Sequence, residues 1–313
     1  MKRPQHIINV SGGKDSTATY LLALERLHGD FRAVFADTGN EHPMTYEFVS
    51  ELSARTGGPA VEWVRADFTD DFRRKRNFVL TKWAEEGVDA ETVRRAASIL
   101  QTPTGNPFLD LCILKGRFPS RMAQFCTGEL KQWPIESQVV LPALRKGPVL
   151  QWLGIRAEES PRRAKDPLFN RTESGAWLWR PLLRWTVSQV WVQHRKHRLN
   201  PNPLYAQGMR RVGCMPCINC RKDELRQIAE RFPEHIERIR AWEDIVARVS
   251  KRGLATFFAA MTDPTDVDRP GTYARIDKVV EWSRTGRGGR QYAMFFDDQP
   301  GGGCRHEQGL CET

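Results

Sequence analysis

Ser11-Gly12-Gly13-Lys14-Asp15-Ser16-Thr17 is the stretch on which the reading of the fold turns. It follows a short β-rich run, His6-Ile7-Ile8-Asn9-Val10, and precedes Tyr20, Leu21, Leu24 and Leu27 at helical spacing. The glycine pair therefore marks a strand-to-helix turn. Such a turn lets backbone N–H groups converge, and the helix start adds a partial positive charge, so phosphate is its natural occupant. Lys14 supplies a mobile charge, and Ser11, Ser16 and Thr17 supply hydroxyls. Asp15 would hold Mg2+ or orient the loop. The spacing differs from G-x-x-x-x-G-K-[ST], which makes this a different phosphate cradle.

Outward from the turn, residues 31–36 read as a second strand running into Asp37-Thr38-Gly39-Asn40, then 43–55 as a helix and 60–64 as a third strand. Strands alternating with helices at this pitch predict an α/β chain with a doubly wound parallel sheet. From 67 to about 124 charged, helix-favouring residues take over, a helical insertion. Strand character returns at 149–155, before Arg156, and at 179–183, with a helix at 188–197. Beyond Gly208 come a cysteine cluster and helices at 223–231 and 233–249, then a Gly-, Pro- and charge-rich part, 263–313, expected to be irregular with a mobile tail. The expected division is 1–205 as the nucleotide-binding domain, with 67–125 inserted, and 206–313 as a Cys-rich, mainly helical C-terminal region.

With 48 Lys+Arg against 38 Asp+Glu, the 313 residues carry a net charge of +10 at 40% hydrophobic content. A disordered tail protein, a collagen-like fibre and a small disulfide scaffold are excluded. No apolar run approaches the ~18–20 residues of a membrane span, and the run after Met1-Lys2-Arg3 is too brief for a signal peptide, so a cytoplasmic protein without a membrane partner is expected. The charge favours a nucleotide, nucleic acid or both, and equally describes a solvated basic surface. Trp152, Trp177, Trp179, Trp185 and Trp191 lie close together in sequence, most as core residues, one or two as platforms for a base.

Seven cysteines in a reducing compartment point to metal ligation or redox work. Cys214-Met215-Pro216-Cys217-Ile218-Asn219-Cys220 sets three thiolates at C-x2-C-x2-C spacing, close enough for one metal centre. The compact triplet resembles ferredoxin-type cubane sites; zinc on the same ligands is the alternative. Cys112, in an apolar run, reads as a buried structural thiol. Cys304 and Cys311 lie in the Gly-rich tail as a transient redox pair or sulfur carrier, with Arg305 or His306 lowering a thiol pKa, or as part of an inert tail.

Ser11-Gly12-Gly13-Lys14-Asp15-Ser16 resembles the signature of the PP-loop ATP pyrophosphatases, the adenine-nucleotide α-hydrolase group that includes sulfonucleotide reductases and several thiolation enzymes. The chain up to about residue 225 is similar to the PAPS-reductase-like branch. That resemblance implies a Rossmann-like fold, an adenosine-contacting loop at Asp37, Thr38 and Gly39, and an anion-facing loop at Gly154, Arg156 and Arg163. It also implies the fourth cluster ligand. The segment Phe125-Cys126-Thr127 is similar to the one in which iron–sulfur sulfonucleotide reductases carry a double cysteine, and Gly213 to Cys217 is similar to their second pair. One cysteine is missing at Phe125 and one is added at Cys220, so Cys126, Cys214, Cys217 and Cys220 are expected to hold a [4Fe-4S] cluster.

The function so implied is binding of ATP-Mg2+, cleavage to AMP and pyrophosphate to adenylate an acceptor, and sulfur transfer supported by the cluster. Lys14, Asp15 and Cys311 are the expected catalytic residues. The acceptor would be DNA or tRNA, and the sulfur donor a cysteine desulfurase. A homo-oligomer or partner complex is expected. Two alternatives stand beside it. One is a sulfonucleotide reductase that releases sulfite with thioredoxin, although Glu307-Gln308-Gly309-Leu310-Cys311 has glutamine where that motif's cysteine belongs. The other is a nucleotide- or nucleic-acid-binding module without turnover.

Overall fold

The computed structural model describes residues 2–258 and 273–285. By internal contacts the chain forms two compact units, the first from Met1–Ala66 and Thr127–Met215, the second from Asp67–Cys126 and the described residues within Pro216–Gln299. The sequence division placed 67–125 as an insertion and 206–313 as a separate region; the contacts instead group the inserted helices with the later ones.

The first unit is built on a six-stranded sheet, β1 (Gln5–Val10), β2 (Arg32–Asp37), β3 (Val61–Arg65), β4 (Val149–Trp152), β5 (Phe169–Arg171) and β6 (Trp177–Trp179), in the order β3-β2-β1-β4-β6-β5. All pairings are parallel except β5 with β6. The expected α/β parallel sheet is therefore present. Its central strands read as unbroken apolar runs because both faces are covered. On one face Ile8, Val10, Ala33 and Phe35 pack with residues of helices α1 (Lys14–Leu27) and α2 (Pro43–Thr56) and with Val190; on the other, Ile7, Val34, Ala36 and Val149 pack with Ile135, Val139, Val140 and Ala143.

Three elements differ from expectation. Residues 127–144 form a helical run, unanticipated from sequence, in which π-turns at Gly128–Gln132 and Glu136–Val140 flank Trp133–Ile135. Pro134, with no N–H to give, interrupts the regular ladder there. The strand expected at 179–183 ends at Trp179, since Pro181 follows, and the antiparallel edge strand β5 was too short to read. Within 263–313, expected to be irregular, Ile276–Arg284 is a helix.

The second unit's helices include Thr69–Phe78, Ala90–Ile99, Pro107–Lys115, Lys222–Arg231, Pro233–Val249 and Ile276–Arg284. Phe108 stacks on Trp242 at 5.6 Å, and Phe118 lies 5.4 Å from Phe257. The fully buried Glu243 carboxylate accepts the N–H groups of Phe257 (2.8 Å) and Ile276 (3.1 Å). It thus pins both sides of the segment 259–272 to one helix. No helix among the described residues is long and apolar enough to cross a membrane.

Candidate functional site

The chain order reverses between β1 and β4: β2 and β3 extend one way from β1, β4 and β6 the other. Open α/β sheets bind ligands beyond the carboxyl ends of the strands at such a switch point. The glycine turn leaves β1 there, and the Gly154–Arg156 segment leaves β4 beside it. Gly12 adopts φ +77°, and a Cβ on it would stand 2.7 Å from Thr45 Cγ2. Gly13 is the N-cap of α1 and offers no side-chain cap. The start of the helix thus lacks the usual Ser, Thr or Asp oxygen. Ser16 Oγ closes the turn on itself, accepting from Ser11 N–H at 3.0 Å and donating to Gly13 O at 3.1 Å. The buried Thr17 hydroxyl has no hydrogen-bond partner among the described residues.

Asp15 is fully buried, with Oδ2 2.9 Å from Lys14 Nζ and Oδ1 2.5 Å from Arg156 Nε. Both oxygens face cations of the protein, so the carboxylate orients the loop. Arg156 also donates through Nη1 to Glu158 (2.8 Å), and its N–H reaches Glu159 (2.9 Å). Glu159 holds Arg163 Nη1 at 2.5 Å, leaving the buried Arg163 Nη2 without a hydrogen-bond partner among the described residues. Both arginines read from the sequence as anion-facing are buried and engaged with internal carboxylates.

At the end of β2, Asp37 Oδ1 accepts from Gly39 N–H and from the Tyr46 hydroxyl, each at 2.9 Å. The buried Glu41 accepts from Thr38 Oγ1 at 2.7 Å, from Tyr46 at 3.0 Å and from Cys214 Sγ at 3.5 Å. Met215 N–H donates to Asn40 O at 2.8 Å, making the 41/214 bridge. The loop Asp37–Gly39 and the first cysteine of the triplet are thereby brought together. Burial first, then the charges of Glu41 and Asp37, push the Tyr46 hydroxyl far above its ordinary pKa.

A second ring of residues braces the glycine turn. Lys14 N–H donates to Tyr205 Oη at 2.9 Å, His194 Nε2 lies 2.9 Å from Lys14 O, and Asn202 Nδ2 donates to Gly12 O at 3.3 Å. Tyr205 and Asn202 were not singled out from the sequence, and His194 was read only as the start of a basic run, 194–198. Each lies some 180–190 positions from the turn, and nothing in local spacing signals the contact.

Burial, chiefly, lowers the His194 pKa below its ordinary 6.5; the Lys14 carbonyl and Asp15 oppose, while Lys14 and His197 reinforce. With Nε2–H donating to Lys14 O, protonation would add an N–H at the buried Nδ1, which has no hydrogen-bond partner among the described residues. The unfolded chain therefore binds the proton more readily, so stability is fully present above about pH 6.5 and falls as pH drops toward the folded value. His6 shifts the same way, again by burial first. Melting temperatures measured between pH 8 and 5 should fall less steeply in His194→Gln than in wild type; parallel curves would sink this account.

Of the triplet, Cys214 belongs to the first unit, and Cys217 and Cys220 to the second with Cys126 and Cys112. None of the five is joined in a disulfide among the described residues. Cys217 Sγ accepts Asn219 N–H at 3.4 Å, and Cys220 N–H donates to Cys217 O at 3.0 Å. Cys112 is fully buried, which raises its thiol pKa well above the ordinary value, with Cys126 adding to the rise. Cys304, Arg305, His306 and Cys311 lie outside the described residues.

A family model described as the phosphoadenosine phosphosulfate reductase domain matches residues 5–220. An "Uncharacterized 37.8 kDa protein in gpa 5'region" of Escherichia phage 186 is 44% identical over 308 residues, 93% of this chain and 91% of that one. An adenosine 5'-phosphosulfate reductase of Bacillus pumilus is 38% identical over 68 residues, 21% of this chain and 29% of the relative. The crystal structure of a phosphoadenylyl-sulfate reductase from Candida auris aligns with TM-score 0.42 at 16% identity, covering 69% of this chain and 84% of that one.

Proposed function

The chain belongs to the phosphoadenosine phosphosulfate reductase domain family, and from that premise we propose that it binds ATP-Mg2+ at the glycine turn and cleaves it to AMP and pyrophosphate, adenylating an acceptor. The observation that carries this reading is the fully buried Asp15 held between Lys14 and Arg156 at the switch point. It fixes two cations beside the uncapped start of α1, where a polyphosphate would sit. Lys14, Arg156 and Arg163 stand against Asp15, Glu158 and Glu159 in the same network. With the protein's own charges balanced three to three, a triphosphate needs a divalent cation as well as the helix start.

In the proposed reaction an acceptor oxygen attacks the α-phosphorus, the bond to the β-bridging oxygen breaks, and pyrophosphate leaves with that electron pair. The adenylated oxygen is then a leaving group. The terminal sulfur of a cysteine desulfurase's persulfide attacks the activated carbon or phosphorus, AMP departs with the C–O or P–O electron pair, and a dithiol reductant then cleaves the S–S bond, leaving the new C–S or P–S bond and releasing the carrier thiol. DNA or tRNA is the acceptor class that the +10 charge suits.

Cys126, Cys214, Cys217 and Cys220 would hold the [4Fe-4S] cluster. The C-x2-C-x2-C spacing and the Asn219 N–H donated to Cys217 Sγ suit a cluster thiolate, whose potential such bonds tune. When bound, the cluster would hold or polarise sulfur. Anaerobically purified protein should contain iron and acid-labile sulfide and lose its brown absorbance in Cys217→Ser; zinc in place of iron would exclude the cluster.

A second reading, reduction of adenosine 5'-phosphosulfate, is favoured by the balanced charge network, since a phosphosulfate carries less charge than a triphosphate and needs no metal. The two separate cleanly. Acceptor-dependent pyrophosphate release from labelled ATP supports the first, and sulfite release from the phosphosulfate with thioredoxin supports the second. Tight nucleotide binding with neither product would leave a binding module.

A further inference from the structure

We infer that the exposed face of the β5–β6 hairpin is a stacking platform for single-stranded nucleic acid, with Trp177 and Phe169 taking bases and Arg171 and Lys165 taking the backbone. This rests on the nucleic-acid acceptor class proposed above and adds the surface that holds it.

Among the five tryptophans clustered in sequence, Trp177 is 48% exposed, whereas Trp152 is 2% exposed. Register puts Trp177 on one sheet face with Trp179, Phe169 and Arg171, since Phe169 pairs with Trp179 and Arg171 with Trp177. Leu178, between the two tryptophans, points to the other face and is fully buried. Phe169, also 48% exposed, stacks on Trp179 at 5.5 Å and 4°, and Trp152 meets Trp179 edge-on at 4.3 Å. Phe169 thus ends a braced pile of rings and presents its exposed side at a fixed angle. Trp177 lies one strand repeat, about 6.8 Å, from that row, so each ring takes a separate base.

Charge selects the occupant. Two half-exposed aromatics on the terminal hairpin of a sheet are an aggregation liability unless something covers them. Here they stand among cations: the segment 162–184 carries six Arg or Lys against Asp166 and Glu173, and of the six only Arg163 and Arg180 are buried. Arg26, exposed on α1, sits 5.2 Å from the Trp179 ring. A second copy of the chain on this face would bring Arg171 and Lys165 toward their own equivalents, since a two-fold contact presents the same patch twice. A duplex keeps its base faces stacked inside. An unpaired strand offers a π-face to each ring and a phosphate to each cation.

The test uses the full-length chain, without ATP, and fluorescence anisotropy of short labelled oligo-dT, oligo-U and a duplex of the same length. Trp177→Ala should weaken whichever single strand the wild type holds by roughly five- to a hundredfold, the range for one stacked base. Trp177→Phe should restore most of that loss, and the melting temperature should not move. Arg171→Ala should lower the slope of log affinity against log salt by about 0.7, as for one phosphate contact on a single strand, while Trp177→Ala leaves the slope in place. Trp177-dependent binding of either strand supports the platform, and does so even where ATP yields no pyrophosphate, a result that overturns the adenylation reading alone. Acceptor-dependent pyrophosphate release with strand binding indifferent to Trp177 overturns the platform and leaves that reading standing. A wild-type chain that binds no single strand, prefers the duplex, or forms a dimer that Trp177→Ala splits also overturns the platform.

Discussion

Asp15→Asn is expected to cost about 3–5 kcal/mol of stability, the range for removing one partner of a buried ion pair, and, under the proposed reaction, to abolish pyrophosphate release. The amide is nearly isosteric, so packing is unchanged and the loss is electrostatic. Arg156, 4% exposed, keeps only its contacts with Glu158 and Glu159 and loses the carboxylate that holds Nε. Lys14 is released from its 2.9 Å contact at the same time. Urea unfolding gives the stability and pyrophosphate release the turnover. An Asp15→Asn chain within about 1 kcal/mol of wild type would show that the triad contributes little, since exposed pairs alone reach that value.

Gly154→Ala should be nearly as damaging, for steric reasons. A Cβ at 154 would stand 2.8 Å from Asp15 C, Ser16 Cα and Ser16 N. These are backbone atoms at the start of α1, and no side chain can rotate out of the way. Overpacking of this kind costs about 1–3 kcal/mol. Relief requires the strand β4 side and the glycine turn to separate, and a displacement near 1 Å at a site of group transfer lowers rate on the order of a hundredfold. Gly147→Ala is the control, because its nearest neighbour is the far end of the flexible Lys2 side chain, at 3.7 Å. If both variants melt with wild type, the close approach of the two loops is not a constraint.

The glycine turn, its strand and its helix were legible because each is a local property. Five apolar-rich residues, two glycines and a helical spacing lie within about 25 positions. The same holds for β2, α2 and β3, whose observed bounds differ from the reading by one residue or so. Cys112 was legible as a buried thiol from its apolar neighbours. The helical run at 127–144 was not, because Gly128, Pro134 and Pro142 disguise it. Glu41 escaped notice because a lone glutamate after a strand looks solvated; only the folded chain puts Thr38, Tyr46 and Cys214 around it.

Local order along the chain thus determined the sheet, the turn and the residue types gathered near it, since strand and helix periodicities are written in neighbouring side chains. Tertiary structure alone decided which charges are paired beside the glycine turn. Asp15 and Arg156 are 141 positions apart, and Lys14 and Tyr205 are 191. Sequence can count the cations near a glycine turn, but whether each is held by a carboxylate depends on which strands the sheet sets side by side.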